Sequence, residues 1–242
     1  MTKAGRVSVI GVHLIGMFCS LGGAAAQQRP AIADQIARTY GLDSWPQVDA
    51  IRYTFTLNLG AQKLHRSWVW EPKADRITYE GPDKASKPVE ITYVRSQLAS
   101  QSAFVKEVVD PGFFNDQYWL LFPFHLVWDT GATVEDAGIQ KLPLGKGSAR
   151  KVVVKYPSTG GYLPGDTWAL YVGTDGRIRE LEFHGGPAKT SVFLVTWTDY
   201  KQAGPLLISL EKRGTANGKP SHNFFSNVAV KLAGSSTWMD AK

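Results

Sequence analysis

Apolar and polar residues alternate along most of the chain between positions 51 and 232. In residues 51–59, every second side chain is apolar, from Ile51 to Leu59, and polar side chains stand between them. This period of two is typical of a β-strand with one buried face. It recurs, with short turns between, in residues 66–70, 76–80, 89–95, 151–156, 166–172, 177–183, 192–197, 206–210 and 227–232. Tight connections exclude parallel pairing, so we predict about ten antiparallel strands.

One irregularity and one turn can be located within this pattern. The alternation slips between Ile178 and Leu181, which predicts a β-bulge. Residues 201–205 are predicted to form a turn before the strand at 206–210.

A helix is predicted before the first strand. Ile32, Ile36 and Tyr40 recur at a spacing of four residues, so they share one face of a helix over residues 30–40. Pro30 suits its first turn and Gly41 its end.

The aromatic segment at residues 96–128 interrupts the strands. Pro111 and Gly112 are expected to break any helix that precedes them. Asp116 is expected to cap a short helix over residues 117–122, which Pro123 ends or kinks. The many aromatic and leucine side chains that follow must be buried or must meet an apolar partner.

These elements predict an α+β, mainly β fold. An antiparallel sheet of about ten strands with one apolar face has to curl or split in order to bury that face. We expect a single curved antiparallel sheet, or half-barrel, with two or three helices plugging its concave face. Residues 27–242 would form this one domain, with an apolar cavity between the sheet and the plug.

The first 26 residues have the three parts of a secretory signal peptide. Lys3 and Arg6 precede an apolar stretch at 7–23, and small residues at 24–26 suit a cleavage site. The stretch is shorter than the ~20 residues of a membrane-spanning helix, so we expect cleavage and a periplasmic location. Cleavage removes Cys19, the only cysteine, and with it any disulfide or thiolate chemistry.

Charge and composition limit the classes of partner that this protein is expected to bind. The chain of 242 residues carries a formal charge of +6, and the loss of the two basic residues at 1–26 leaves a weakly basic protein with interleaved signs. This is not the footprint of a nucleic-acid-binding protein. No second apolar stretch of ~18 residues follows, so we expect no transmembrane segment in the mature chain.

Three strings carry a family resemblance. WVWEP at 68–72, NDQYWLLFP at 115–123 and GGYLPGD at 160–166 resemble those of exported bacterial proteins of unassigned function. The architecture over residues 30–235 is similar to the LolA/LolB-like superfamily of lipoprotein carriers. That resemblance implies a half-barrel whose apolar cavity receives acyl chains, and it assigns a role to no individual residue here.

Aromatic residues supply the candidate ligand site. Such clusters usually form core, but a lipid cavity also requires leucine and aromatic walls. We predict a hydrophobic or amphipathic small molecule, such as a lipid or an acyl chain, bound by Trp68, Trp70, Tyr118, Trp119, Phe122, Phe124, His125 and Trp128. No cofactor and no metal are predicted.

Two other functions compete with ligand carriage. A cell-envelope hydrolase or lyase could use His125 or His184 with a nearby carboxylate, the candidates being Asp116, Asp129, Asp166 and Glu182. The chain lacks the HExxH and GxSxG motifs, so no catalytic residue is predicted. Alternatively, residues 118–128 could be exposed and bind an envelope protein partner.

Four arginines fall on neighbouring predicted strands: Arg52, Arg66, Arg76 and Arg95. They are expected on the wet outer face, and one turned inward would suit the carboxylate or phosphate of a lipid headgroup. The glycine-rich string at 160–166 is expected to be a shaped turn fixed by Asp166, with a ligand loop as the alternative.

Overall fold

The strands of the computed structural model form one open antiparallel sheet. The structure describes residues 29–185 and 190–242, so the signal peptide predicted at 1–26 lies outside the described residues. The thirteen strands of these residues are β1 Val48–Leu59, β2 Gln62–Glu71, β3 Arg76–Pro82, β4 Pro88–Val94, β5 Thr133–Lys141, β6 Ser148–Lys155, β7 Thr167–Val172, β8 Ile178–Gly185, β9 Ser191–Thr196, β10 Thr198–Ala203, β11 Leu206–Ala216, β12 Lys219–Leu232 and β13 Trp238–Asp240. The predicted mainly β class is confirmed.

Two α-helices accompany the sheet, α1 Ala31–Thr39 and α2 Asp110–Trp128. Short 3₁₀ segments occupy Leu42–Gln47, Pro72–Ala74 and Arg95–Ser100, and a π turn at Val105–Val109 leads directly into α2. None of the helices in the described part of the chain is long and apolar enough to cross a bilayer.

The sheet runs in the order β4-β3-β2-β1-β12-β11-β9-β8-β7-β6-β5, with β10 beside β11 and β13 beside β12. Most neighbours are consecutive in the chain, as short turns require. The pairing of β1 with β12 joins the two halves of the chain. Strands β4 and β5 are left at the two edges.

The contacts of α2 show that the sheet is strongly curved. Asp116 accepts a hydrogen bond from Trp68 on β2 (2.9 Å), and the ring of Trp119, one turn later, lies 5.1 Å from that of Trp168 on β7. Strands β2 and β7 are six places apart, which is roughly 29 Å in a flat sheet with ~4.8 Å between strands. The sheet therefore bends around α2, as expected of a half-barrel.

The prediction for the middle helix is wrong in its bounds. Pro111 does not break the helix, because it lies in the first turn of α2, where its missing N–H is not needed. Pro123 lies inside the helix, which continues to Trp128 with a local distortion at Leu121 (φ −113°, ψ 19°). Asp116 is not a cap: it is buried in the helix interior.

Three strands had no counterpart in the sequence analysis: β5, β10 and β13. The turn predicted at 201–205 is wrong, since β10 extends to Ala203 and only Gly204 and Pro205 connect it to β11. The predicted bulge is confirmed, because the pairing of β7 with β8 shifts between Tyr171 and Val172, opposite Glu180 and Ile178.

Candidate ligand site around the central helix

Three cavities meet at two side chains of α2, Phe114 and Tyr118. The loop cavity, about 410 Å³, lies between α2 and the loop at residues 157–163 and is also lined by Tyr156. The sheet cavity, about 400 Å³, lies against Trp168 and Phe183. The end cavity, about 220 Å³, lies beyond the ends of β2 and β4. Phe114 and Tyr118 line all three and therefore form the partitions between them.

A glycine-rich loop covers these cavities. Gly160 (φ 79°) and Gly161 (φ 68°) adopt left-handed backbone that favours glycine, and they direct Tyr162 back toward α2. The Tyr162 ring stacks on Phe114 with 4.0 Å between centroids, and its hydroxyl donates to Asp110. Tyr162 nevertheless remains 40% exposed, so it is the outermost part of the partition.

Asp110 holds the glycine-rich loop against α2. Its carboxylate is fully buried and accepts hydrogen bonds from Tyr162 and from the hydroxyl of Tyr93 at 2.8 Å. The Nε of Arg95 lies 3.5 Å from it, and the guanidinium rests over the ring of Phe114 at 4.2 Å. Burial, followed by the bond to Asp110, raises the pKa of Tyr93, so this phenol stays protonated.

A second carboxylate, Asp129, lies between the loop and end cavities. It accepts hydrogen bonds from Tyr118 (2.7 Å) and Tyr156 (2.6 Å), and His125 Nδ1 lies 3.1 Å away. Burial alone would raise the pKa of Asp129, but the bonds from His125 and the two phenols outweigh it, so the pKa is lowered. Asp129 is therefore a charged group at the cavity wall.

His125 is fully occupied by its neighbours. Its Nδ1 lies 3.1 Å from a carboxylate oxygen of Asp129, its Nε2 lies 3.0 Å from Oε1 of Gln117, and its ring stacks on Tyr118 at 3.6 Å. Burial lowers the pKa of His125 more than Asp129 raises it, so the ring is neutral. Both nitrogens face side chains of the protein at a buried position, so the ring is poorly placed to act as a general base on a ligand.

The other candidate histidine lies elsewhere. His184 binds Glu182 at 2.7 Å. Phe183 between them packs on Trp119 in the interior, so the alternation of β8 places Glu182 and His184 on the outer face. They do not join His125. Among residues 29–185 and 190–242, no group of three acidic, histidine or cysteine side chains could hold a metal ion.

Two of the four arginines, Arg66 and Arg95, turn toward buried carboxylates, and the partner of Arg66 is internal. Arg66 donates to both carboxylate oxygens of Asp116, which is 0% exposed and also accepts from Trp68. Burial raises the pKa of Asp116 despite the nearby Arg66. Arg66 also explains Gly112, since a Cβ there would lie 2.9 Å from its guanidinium.

The outward arginines are paired near the surface. Arg52 binds Asp240 at 2.9 Å, and Arg76 binds Glu71 at 2.5 Å.

The eight predicted ligand residues divide into two groups. Trp70, Tyr118, His125 and Trp128 line the end cavity, and Trp119 lines the sheet cavity. The others are packed in the core: Trp68 is bonded to Asp116, Phe122 stacks on Trp168 at 4.2 Å, and Phe124 stacks on Trp128 at 5.2 Å. Most of residues 118–128 are buried, contrary to an exposed docking segment for a protein partner.

Sequence reasoning missed several lining residues. Phe114 stood in the aromatic segment but was not singled out, and Tyr156 was assigned only to a strand. Asp110 carried no local signal, because its partners Tyr93, Arg95 and Tyr162 are distant along the chain.

Comparison with known proteins gives fold likenesses only. No family model and no curated protein matches the chain. Similar solved structures include a DUF1329 family protein from Desulfovibrio piger (TM-score 0.48, 10% identity, 86% of this chain and 96% of that one). A putative outer membrane lipoprotein-sorting protein domain from Vibrio parahaemolyticus has TM-score 0.46 and 10% identity over 88% and 95%. Mycobacterium tuberculosis lipoprotein LppX has TM-score 0.33 and 9% identity over 88% and 100%.

Scores below 0.5 at such identities say nothing about what this chain binds.

Proposed function

We propose that this protein is a periplasmic carrier for an amphipathic ligand with a long apolar chain. The observation that supports it best is the junction of three cavities at Phe114 and Tyr118. Both rings line all three cavities, and Tyr162 and Leu163 of the covering loop line two of them, so movement of the loop together with these rings would join the cavities into one site.

The walls suit an acyl chain. Leu163, Ala132 and the rings of Phe114 and Tyr156 are among the residues that line the loop cavity. Burying an apolar chain there would contribute roughly 25 cal/mol for each Å² removed from water. The interior behind α2 is filled with aromatic side chains, so the chain is accommodated at the rim of the half-barrel, beneath the loop.

The periplasmic location follows from the sequence rather than from the fold. The signal peptide predicted at residues 1–26 would export the chain, and Cys19 would leave with it. A carrier can transport a ligand between membranes without a catalytic group. This fits the position of His125, whose two nitrogens both face side chains of the protein.

Filling the loop cavity tests the proposal. A Cβ at Gly131, which lines this cavity, would have no atom within 4 Å, so the side chain of Gly131→Phe can start from the cavity wall without a steric conflict at Cβ. We expect about tenfold weaker binding of 1-oleoyl lysophosphatidylethanolamine, or ~1.4 kcal/mol, by titration calorimetry below its micellar concentration.

The matched control is Thr133→Phe, at an exposed position two residues away. It should bind the lipid as the unaltered protein does. Equal affinity of all three proteins, or no binding by the unaltered protein, would overturn the proposed function.

A further inference from the structure

The end cavity differs from the other two in its charges. Its walls are aromatic, with Trp70, Trp128 and Phe113 among them, but Asp75, Asp129 and Arg95 also line it. A cavity for hydrocarbon alone would gain nothing from three charged groups, because each of them loses hydration when a chain is bound. The end cavity is therefore suited to the polar part of a ligand.

One side of the end cavity favours a cation. Asp129 is ionised and its partners Tyr118, Tyr156 and His125 are neutral, so its charge has no cationic partner among them. Asp75 accepts a bond from the backbone of Ser96 and forms no ion pair with a described residue. Aromatic faces beside carboxylates attract ammonium groups.

The other side offers a guanidinium to an anion. The Nε of Arg95 faces the buried Asp110 in a long ion pair of 3.5 Å, whereas the side chain as a whole is 37% exposed and lines the end cavity. The stack on Phe114 fixes the plane of the guanidinium. A fixed planar fork of donors suits the oxygens of a phosphate.

A purely anionic head does not match this set of charges. It would meet Arg95, but Asp75 and Asp129 line the same small cavity and Asp110 lies behind the guanidinium. A head that carries both a phosphate and an ammonium satisfies each group. The volume of about 220 Å³ is far above the roughly 10–15 Å³ that a cavity needs in order to hold one water molecule, so there is room for a polar group of several heavy atoms.

We propose that the end cavity binds the head of a zwitterionic phospholipid, with the ammonium toward Asp75 and Asp129 and the phosphate beside Arg95. This inference rests on the proposed function, since Phe114, Tyr118 and Asp129 line both the end cavity and the loop cavity. The head lies on one side of these three side chains, and the acyl chain lies on the other.

Four probes separate the components of the ligand. 1-Oleoyl lysophosphatidylethanolamine has chain, phosphate and ammonium; 1-oleoyl lysophosphatidylglycerol lacks the ammonium; monoolein lacks both charges; phosphoethanolamine lacks the chain. We expect the first to bind at least about tenfold more tightly than the second and third, and phosphoethanolamine alone to bind far more weakly.

Two variants assign the charges. Asp75→Asn keeps the acceptor to Ser96 and tolerates the left-handed backbone there (φ 50°), and it should reduce the preference for ethanolamine over glycerol, with Asp129 left as the remaining carboxylate. Arg95→Gln should weaken both phosphate-bearing lipids relative to monoolein. Arg76→Gln, an exposed arginine on β3, is the control and should change nothing.

The outcomes distinguish the two proposals. Equal binding of all three lipids, or an unchanged preference in Asp75→Asn, would overturn the head assignment and leave the carrier function standing. Phosphoethanolamine binding as tightly as the lipid would also overturn it, because the ligand would then be a free polar compound. Failure of all three chain-bearing probes would instead overturn the carrier function itself.

Discussion

Replacing Arg66 with alanine should lower the free energy of unfolding by about 3–5 kcal/mol, the usual cost of removing one partner from a buried ion pair. Asp116 would keep a fully buried carboxylate whose remaining hydrogen-bond donors, among residues 29–185 and 190–242, are Trp68 and Asn115. The pair also ties α2 to β2, so its loss weakens the contact that positions Phe114 and Tyr118. Urea denaturation followed by tryptophan fluorescence measures the change.

Two further variants make this result specific. Arg76→Ala removes a surface pair with Glu71 and should cost less than ~1 kcal/mol. Adding Asp116→Asn to Arg66→Ala replaces the unpaired charge with a neutral amide and should recover part of the loss. If Arg66→Ala were no worse than Arg76→Ala, the buried pair would not hold α2 in place.

Replacing Lys212 with methionine should raise the free energy of unfolding at pH 7 by at least about 1 kcal/mol. This figure is modest, because a shift of a single unit in the pKa of a side chain already corresponds to about 1.4 kcal/mol. Lys212 is fully buried on the inner side of β11, where its Nζ donates to the carbonyl of Ser209 at 2.6 Å. Its other surroundings are the rings of Trp197 and Phe225, at 4.3 and 4.6 Å. Burial lowers the pKa of Lys212 well below its usual value, and Asp199 only partly opposes this.

The gain from Lys212→Met should depend on pH in a defined direction. Because the pKa of Lys212 is lower in the folded protein, the unfolded chain binds more protons between the folded pKa and the unperturbed value of ~10.4. The unaltered protein therefore becomes more stable as pH rises through this window, and the advantage of the variant shrinks toward pH 9.5. Above pH 10 the buried tyrosines, Tyr40 among them, also change the stability of both proteins with pH. The two proteins are therefore compared only below pH 10.

Methionine keeps most of the packing against the two rings, which limits the loss on substitution. Lys201→Met, at a partly exposed position beside Asp199, is the control and should leave stability and its pH dependence unchanged. A Lys212→Met protein that is less stable than the unaltered one at pH 7 would show that Lys212 is a favourable buried cation.

The strands that form the core could be predicted because each has one wet face. In β1, Phe55 is fully buried and its neighbour Thr56 is only partly buried, so apolar and polar residues alternate in the sequence of this strand. β5 escaped notice because only Val134 among its residues is buried, and an edge strand with two wet faces has no apolar period. β11 was predicted to end at Leu210 because its next inward residue is the charged Lys212, although the strand continues to Ala216.

The central helix could not be predicted for the opposite reason. Nearly all of α2 between Phe113 and Leu126 is buried, so no polar face marks its period, and two prolines favour breaks. The candidate site shares this limit. The sequence showed that aromatic residues such as Tyr118 and Trp128 were concentrated in one segment, but only the fold brings Tyr162 and Arg95 to Phe114.

Photo-crosslinking can show whether the acyl chain lies in the loop cavity. A lysophosphatidylethanolamine with a diazirine at the end of its chain is irradiated with the protein, and the labelled residues are identified by peptide mass spectrometry. We expect labels at Leu163, Tyr156 and Ala132, in the loop cavity, and their loss in Gly131→Phe. Labels confined to the outer groove of β1 and β2 around Thr54 and Ser67 would contradict it.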